Sequence, residues 1–181
     1  MTAVARYPAA LRLLHWLVVL LVALQLTFAL INAIYYERTP GFAEAAVQAH
    51  ISIGVLLFGL MLLRLGVRLT RPVPPLPEGM CRAKRRLAHA TPAALNVILV
   101  ALPVTGWLKL AALGYPASAF GILPLPVFEF MPDVARRARN AHELLALALG
   151  GLLVLHVGAA LFHKRLTGAA VLPRMGIGQT P

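Results

Sequence analysis

Residues 141–162 read AHELLALALGGLLVLHVGAALF, an apolar stretch with one histidine near its start and another near its end. A helix of this length spans the ~30 Å hydrocarbon core of a bilayer. His142 and His156 are fourteen residues apart. Because fourteen residues make almost four helical turns, both imidazoles leave the same face, about 21 Å apart along the axis. Ionisable side chains are costly inside a membrane, so this pair indicates a function.

Three further apolar segments have a similar length, and two of them also carry a histidine. The four segments cover about 9–31, 46–67, 93–113 and 141–162, each near the ~20 residues that a membrane crossing requires. The chain is 60% hydrophobic and 13% charged, with a mean hydropathy of +0.79. These features predict an all-α integral membrane protein, a four-transmembrane-helix bundle forming one domain over residues 1–181.

The basic residues predict the orientation of this bundle. The net charge is +11, but the Lys and Arg residues flank the apolar segments, so we expect membrane lipid and no nucleic acid as a partner. Twelve of them fall on one side of the membrane and five on the other. Since loops rich in Lys and Arg stay in the cytoplasm, both termini are predicted to be cytoplasmic. The single cysteine, Cys81, and the lack of a C-x-x-C-H motif exclude an internal disulfide and covalent haem attachment.

The four histidines of the apolar segments pair by their predicted depth. His15 lies about six residues into the first segment from the cytoplasmic side, and His156 about six residues before the fourth returns to that side. His50 and His142 both lie near the outer ends of their segments. Depth therefore pairs His15 with His156 and His50 with His142.

Such pairs have three interpretations. The first is hydrogen-bonded histidines that join helices. The second is a proton or metal-ion relay, which Asp or Glu would usually assist, although no Asp or Glu lies deep in any segment. The third is axial ligation of haem iron by two imidazoles from facing helices. A tetrahedral zinc site needs four ligands at one depth, whereas these come in twos. Gly54 and Ala160, each four residues after a histidine, either leave room for a flat macrocycle or allow close helix packing.

Short motifs follow one another along most of the chain, from about Tyr7 to His163. They are Leu14-His15-Trp16, His50-Ile-Ser-Ile-Gly54, Leu63-Arg64-Leu65-Gly-Val-Arg68, Leu87-Ala88-His89, Ala101-Leu102-Pro103-Val-Thr-Gly106, His142-Glu143 and Leu155-His156. In this combination the chain resembles the bacterial cytochrome b561 family, which is related to the cytochrome b subunits of nickel hydrogenases and formate dehydrogenases. Some relatives carry a second histidine three residues after the position of His89, where this chain has Pro92.

The resemblance implies an oxidoreductase of the bacterial inner (plasma) membrane with two haem b groups. His15 and His156 would hold the cytoplasmic-side haem, and His50 and His142 the periplasmic-side haem. An iron with two axial imidazoles has no open position for a substrate, so its expected work is single-electron transfer. The resemblance also implies a membrane quinone, taken here as ubiquinone, as the electron acceptor.

We expect the quinone site near the cytoplasmic-side haem. Its candidate residues are Arg12, Arg64, His89 and His163. Arg64 lies fourteen residues after His50 and would pair with haem propionates or a quinone oxygen; the alternative is a snorkelling arginine. His89, at the cytoplasmic end of the third segment, would exchange protons with the quinone or be a plain helix-end residue. His163 shares the face of His156 but lies beside Lys164 and Arg165 at the interface, so we expect it to lie next to a ligand or in solvent rather than to bind the metal.

A group of basic residues lies on the outer side, where the orientation rule disfavours them. They are Lys109, Arg136, Arg137 and Arg139. A basic funnel over the outer haem would steer a small anionic electron donor. Among such donors, the resemblance to the family favours superoxide. The alternative is a solvated cluster that pairs with Asp133, Glu129 or lipid phosphate.

Three functions remain open at this point. The first is a di-haem cytochrome that passes electrons from a periplasmic-side donor to the quinone pool, as a superoxide:ubiquinone oxidoreductase would. The second is a membrane-anchor subunit that links a periplasmic dehydrogenase or hydrogenase to quinone, with the outer loop at about 114–140 as its docking surface. The third is a histidine-based cation transporter, which predicts a colourless protein.

Overall fold

The computed structural model describes residues 6–71, 74–75, 81–166 and 171–176. Its long helices are α1 (Ala9–Tyr35), α2 (Pro40–Thr70), α3 (Arg82–Ala112) and α4 (Pro132–Leu166). All four are long and apolar enough to cross a membrane, and each overlaps one apolar segment of the sequence. The predicted all-α, four-helix membrane fold is confirmed.

The helices extend beyond the apolar segments, most clearly at the start of α3. This helix begins at Arg82 rather than near residue 93, and it continues through Pro92 and Pro103. Hydropathy marks only the part of a helix that suits hydrocarbon, whereas Lys and Arg are good helix formers that continue it past that boundary. The same effect moves the start of α4 to Pro132, with Asp133 in its first turn, a typical helix N-terminus.

The helices pack as two hairpins. α1 lies along α2, α3 lies along α4, and α2 joins the two hairpins by packing against α3. Within the described residues, the backbone of α4 comes close to α3 and to the short helix that follows it, but not to α1 or α2. A buried cluster of apolar side chains from all four long helices fills the middle of the bundle, comprising Val18, Val22, Leu57, Met61, Leu95, Leu99 and Leu149.

A short antiparallel hairpin caps one end of the bundle, which we call the hairpin end. Its strands are β1 (Ser118–Ala119) and β2 (Leu123–Pro124), with Ser118 opposite Pro124. The backbone N–H of Phe120 donates to the Ser52 hydroxyl of α2 at 2.8 Å, which ties the hairpin to that helix. The outer loop predicted at about 114–140 therefore holds this hairpin and, from Pro132, the first turns of α4.

Both described ends of the chain meet at the opposite end of the bundle, which we call the termini end. The short helix α5 (Val171–Arg174) lies there beside the start of α1. The backbone N–H of Tyr7 donates to the carbonyl of Arg174 at 3.1 Å, and the indole N–H of Trp16 donates to the carbonyl of Met175 at 3.1 Å. The two described ends of the chain, near Tyr7 and Met175, are therefore on the same side of the bundle.

Candidate functional site

The structure brings the four histidines together in the two pairs that depth predicted. The termini-side pair is His15 of α1 and His156 of α4, with ring centroids 6.4 Å apart. The hairpin-side pair is His50 of α2 and His142 of α4, with ring centroids 6.2 Å apart. Each pair joins α4 to a helix whose backbone it does not approach, so the rings reach across a separation between helices.

The spacing and chemistry of each pair fit two axial ligands of one metal ion. Two imidazoles that each bond a metal at about 2 Å place their ring centroids about 6.3 Å apart, close to both measured separations. In the part of the chain that the structure describes, no three His, Cys, Asp or Glu side chains come together as a metal-ion site. A metal held by two protein ligands needs its other ligands from elsewhere, as a haem iron has from its porphyrin.

Hydrogen bonds to backbone carbonyls orient both rings of the hairpin-side pair. The Nδ1–H of His50 donates to the Gln25 carbonyl at 3.2 Å, and the Nδ1–H of His142 donates to the Leu102 carbonyl at 3.0 Å. Because a carbonyl oxygen can only accept, each bond requires the proton on Nδ1. Nε2 of each ring is then the free nitrogen, the arrangement typical of a metal-ligating histidine.

Gly54 serves helix packing beside this pair. A Cβ on Gly54 would lie 3.0 Å from Nε2 of Gln25, so the Gln25 side chain of α1 fills the space that the glycine leaves. This arrangement matches the second interpretation of Gly54, which is close helix packing. It also brings α1 close enough to α2 for the Gln25 carbonyl to accept a hydrogen bond from His50.

The termini-side pair has a different environment. No hydrogen bond to the side chain of His15 or His156 occurs among the described residues, and the ring of His15 meets that of Trp16 edge-on at 5.1 Å. Arg64 is at the level of this pair, since it follows His50 by fourteen residues as His156 follows His142. Positive charge therefore replaces backbone hydrogen bonds as the main feature near this pair.

The predicted quinone-site residues lie at the same end of the bundle. Arg64 donates from Nη1 to Oδ1 of Asn96 at 2.8 Å, while Nε of Arg64 and Nε of Arg12 are buried and have no hydrogen-bond partner within the described part of the chain. His89 is exposed and lies two turns before Asn96 on the same face of α3. Because α3 begins at Arg82, His89 is inside this helix rather than at its start. The side chain of His163 lies outside the described residues.

The basic residues at the hairpin end do not converge on one point. Arg136 pairs with Asp133 and Arg139 pairs with Glu143, both at 2.8 Å and both exposed. Arg137 is also exposed, and it leaves α4 roughly 140° around the axis from His142. Two of the three arginines thus have carboxylate partners on their own helix.

Lys109 occupies a different position from these arginines. It is half-buried near the end of α3, about one turn beyond Gly106, where an added Cβ would lie 3.1 Å from Cε1 of His142. Of the four predicted steering residues, Lys109 is therefore the one that is partly buried at the hairpin end.

Three polar residues inside the apolar segments were missed as contributors to the site. Gln25 supplies the carbonyl that binds His50, Asn96 binds Arg64, and the Thr105 hydroxyl lies 3.2 Å from Nδ1 of His142. Polar side chains are rare and costly at membrane depth. Their presence in otherwise apolar segments was a signal available in the sequence.

Comparison with known proteins identifies the family. The family model of prokaryotic cytochrome b561 matches residues 6–178. The chain is 32% identical over 178 residues to cytochrome b561 homolog 2 of Escherichia coli (strain K12), covering 94% of this chain and 90% of the relative. It is 30% identical over 167 residues to the probable superoxide oxidase CybB of Yersinia pestis, covering 90% of each. This chain is therefore a multi-pass protein of the bacterial inner membrane and belongs to the prokaryotic cytochrome b561 family, whose membership implies a haem b cofactor and electron transfer.

Proposed function

We propose that this protein is a di-haem b cytochrome that transfers electrons from a donor at the hairpin end to a membrane quinone at the termini end. The observation that carries the proposal is the pair of facing imidazoles at each of two levels, with ring centroids 6.2 and 6.4 Å apart. Haem b, if bound by these imidazoles, would supply reversible one-electron redox chemistry. His15 and His156 would hold one haem, and His50 and His142 the other.

The protein supplies orientation and shielding at these two levels. The Gln25 and Leu102 carbonyls hold the rings of His50 and His142 with Nε2 free. The apolar cluster between the levels excludes water from the middle of the bundle. A dry, rigid interior lowers the reorganisation energy of electron transfer, because few polar groups have to reorient when the charge changes.

We assign the quinone site to the termini end, with ubiquinone as the acceptor. Arg64 and Arg12 each have a buried guanidinium nitrogen without a partner within the described residues, and a guanidinium donates readily to quinone or carboxylate oxygens. His89, exposed two turns from Asn96, is suited to move protons between the quinone and solvent. The excess of Lys and Arg at this end supports a cytoplasmic location for it.

Superoxide is the donor that we propose for the hairpin end. One relative is named a probable superoxide oxidase. Lys109, half-buried beside the hairpin-side pair, is the cation best placed to receive a small anion. The more distant arginines extend the positive field even though two of them are paired with carboxylates, so their contribution is to steering.

A spectroscopic experiment tests the proposed function. Purified protein is examined by reduced-minus-oxidised difference spectroscopy, and haem is quantified per chain. We expect two haem b groups per chain, full reduction by superoxide and reoxidation by a soluble ubiquinone analogue. One haem or none would contradict the di-haem assignment, and colourless protein would favour the cation transporter.

The anchor-subunit function has one supporting observation. Large apolar side chains are exposed at the hairpin end, including Ile122 at 85% and Phe130 at 69%. An exposed apolar surface beyond the membrane suits contact with a periplasmic redox subunit. Co-purification of the tagged chain with a soluble dehydrogenase or hydrogenase, together with slow reduction by superoxide, would favour this function over the proposed one.

A further inference from the structure

The ring of His142 lies in a slot on α3. The slot has three parts, the Leu102 carbonyl at 3.0 Å from Nδ1, the Thr105 hydroxyl at 3.2 Å from the same nitrogen, and the backbone of Gly106. Thr105 also hydrogen-bonds to the Ala101 and Leu102 carbonyls of its own helix, which holds its hydroxyl in place. Three residues of α3 that lie about one helix turn apart thus surround one edge of the imidazole.

The slot depends on the missing side chain of Gly106. A Cβ at this position would lie 3.1 Å from Cε1 and 3.3 Å from Nδ1 of His142, both closer than ordinary van der Waals contact. The ring has no flexible end that can move aside, so it would have to shift away from α3. The helical glycines Gly59 and Gly150 differ, because a Cβ on either would meet nothing within 4 Å.

We propose that Gly106 and Thr105 are positioning residues for His142, and that together they set the orientation and basicity of its imidazole. This inference rests on the proposed function, because it concerns how one of the proposed haem ligands is held. The Nδ1–H bond to Leu102 increases electron donation from Nε2 and thereby favours the oxidised metal. A shift of the ring away from α3 weakens this bond, so the hairpin-side haem becomes easier to reduce.

The test compares Gly106→Ala and Thr105→Val with Gly59→Ala and Gly150→Ala as matched controls. Each purified variant is measured for haem per chain, for its two midpoint potentials and for the electron paramagnetic resonance spectrum of the oxidised protein. That spectrum would depend on the angle between the planes of the two histidine rings, which is 71° for His50 and His142.

We expect Gly106→Ala to raise the midpoint potential of the hairpin-side haem, to change its resonance and to weaken its retention roughly tenfold. Thr105→Val, which keeps the shape of the side chain but removes the hydroxyl, gives a smaller change of potential in the same haem. The termini-side haem is unaffected in both variants, and the two control variants match the original protein.

Two outcomes would overturn the inference. One is an unchanged hairpin-side potential and resonance in Gly106→Ala, and the other is an equal change in both haems or in the controls. If Gly106→Ala does not yield folded protein, Thr105→Val decides alone, and an unchanged hairpin-side potential there overturns the inference. Failure of the proposed function is distinct, because the original protein would then lack one or both haems before any substitution is made.

Discussion

The two histidine pairs are alike in spacing but are held by different groups. Both rings of the hairpin-side pair donate to backbone carbonyls, those of Gln25 and Leu102. The termini-side pair has no such bond among the described residues, and its level of the bundle instead carries Arg64. One pair is thus fixed by the backbone of neighbouring helices, while the other lies beside a cation.

This difference has a consequence for the direction of electron flow in the proposed function. A hydrogen bond from Nδ1 makes an imidazole a stronger electron donor and favours the oxidised metal. A nearby positive charge favours the reduced metal, because reduction adds negative charge. Both effects act in one direction, so in the proposed function an electron would be more stable at the termini-side haem than at the hairpin-side haem.

The largest expected effect comes from removing one ligand of a single pair. His142→Ala should remove the hairpin-side haem and leave about one haem per chain, whereas His15→Ala should remove only the termini-side haem, because each pair joins a different pair of helices. Haem quantification and potentiometric titration of the two variants measure this. Loss of both haems, or of neither, in either variant would contradict the two-level pairing.

The next effect concerns the cation at the termini-side pair. Arg64→Gln should lower the midpoint potential of that haem and slow reoxidation by a soluble ubiquinone analogue at least about tenfold, because a charge-assisted hydrogen bond is lost. Arg68→Gln is the matched control, since Arg68 is exposed one turn later on α2. Equal reoxidation rates for the two variants would exclude Arg64 from the quinone site.

A smaller effect is expected at the hairpin end. Lys109→Gln should slow reduction by superoxide about threefold at low ionic strength, because one cation beside the pair is removed. The triple variant Arg136→Gln, Arg137→Gln and Arg139→Gln should slow it less, since two of these arginines are paired. Both differences should shrink in high salt. A rate that none of these changes alters would exclude the steering field.

The smallest expected effect concerns how much one hydrogen bond at each end of the bundle contributes to the free energy of unfolding. Trp16 donates its indole N–H to the Met175 carbonyl at 3.1 Å, and Trp107 donates to the Pro126 carbonyl at 3.0 Å. Trp16→Phe and Trp107→Phe should each lower the free energy of unfolding by about 1 kcal/mol. Denaturation in detergent measures both. A markedly larger loss in Trp16→Phe would show that docking of α5 also stabilises the termini-side pair.

The levels of the histidines could be predicted from the sequence because helix geometry and membrane thickness fix them. His142 and His156 had to share a face, and membrane depth then left one partner for each. The same argument placed Arg64 at the level of His156. Helix ends were predicted less well, as α3 shows, because hydropathy does not record a helix that continues through the interface.

The groups that hold the histidines were harder to predict. The Gln25 and Leu102 carbonyls act through the backbone, and a backbone acceptor carries no signature of residue type. Their role depends on how closely α1 approaches α2 and α3 approaches α4, which is decided by packing. Gly106 appeared in the sequence only as part of a motif, and the slot that it forms needed the position of the His142 ring.

The apolar cluster between the two histidine levels has a consequence for bioenergetics. It consists of hydrocarbon side chains and Met61, which offer no route for protons, so an electron that passes between the levels travels without a compensating cation. The levels are about 21 Å apart in a hydrocarbon core of roughly 30 Å. Such a transfer is electrogenic, and a membrane potential negative on the side of the termini would oppose it by roughly 1.6 kcal/mol per 100 mV.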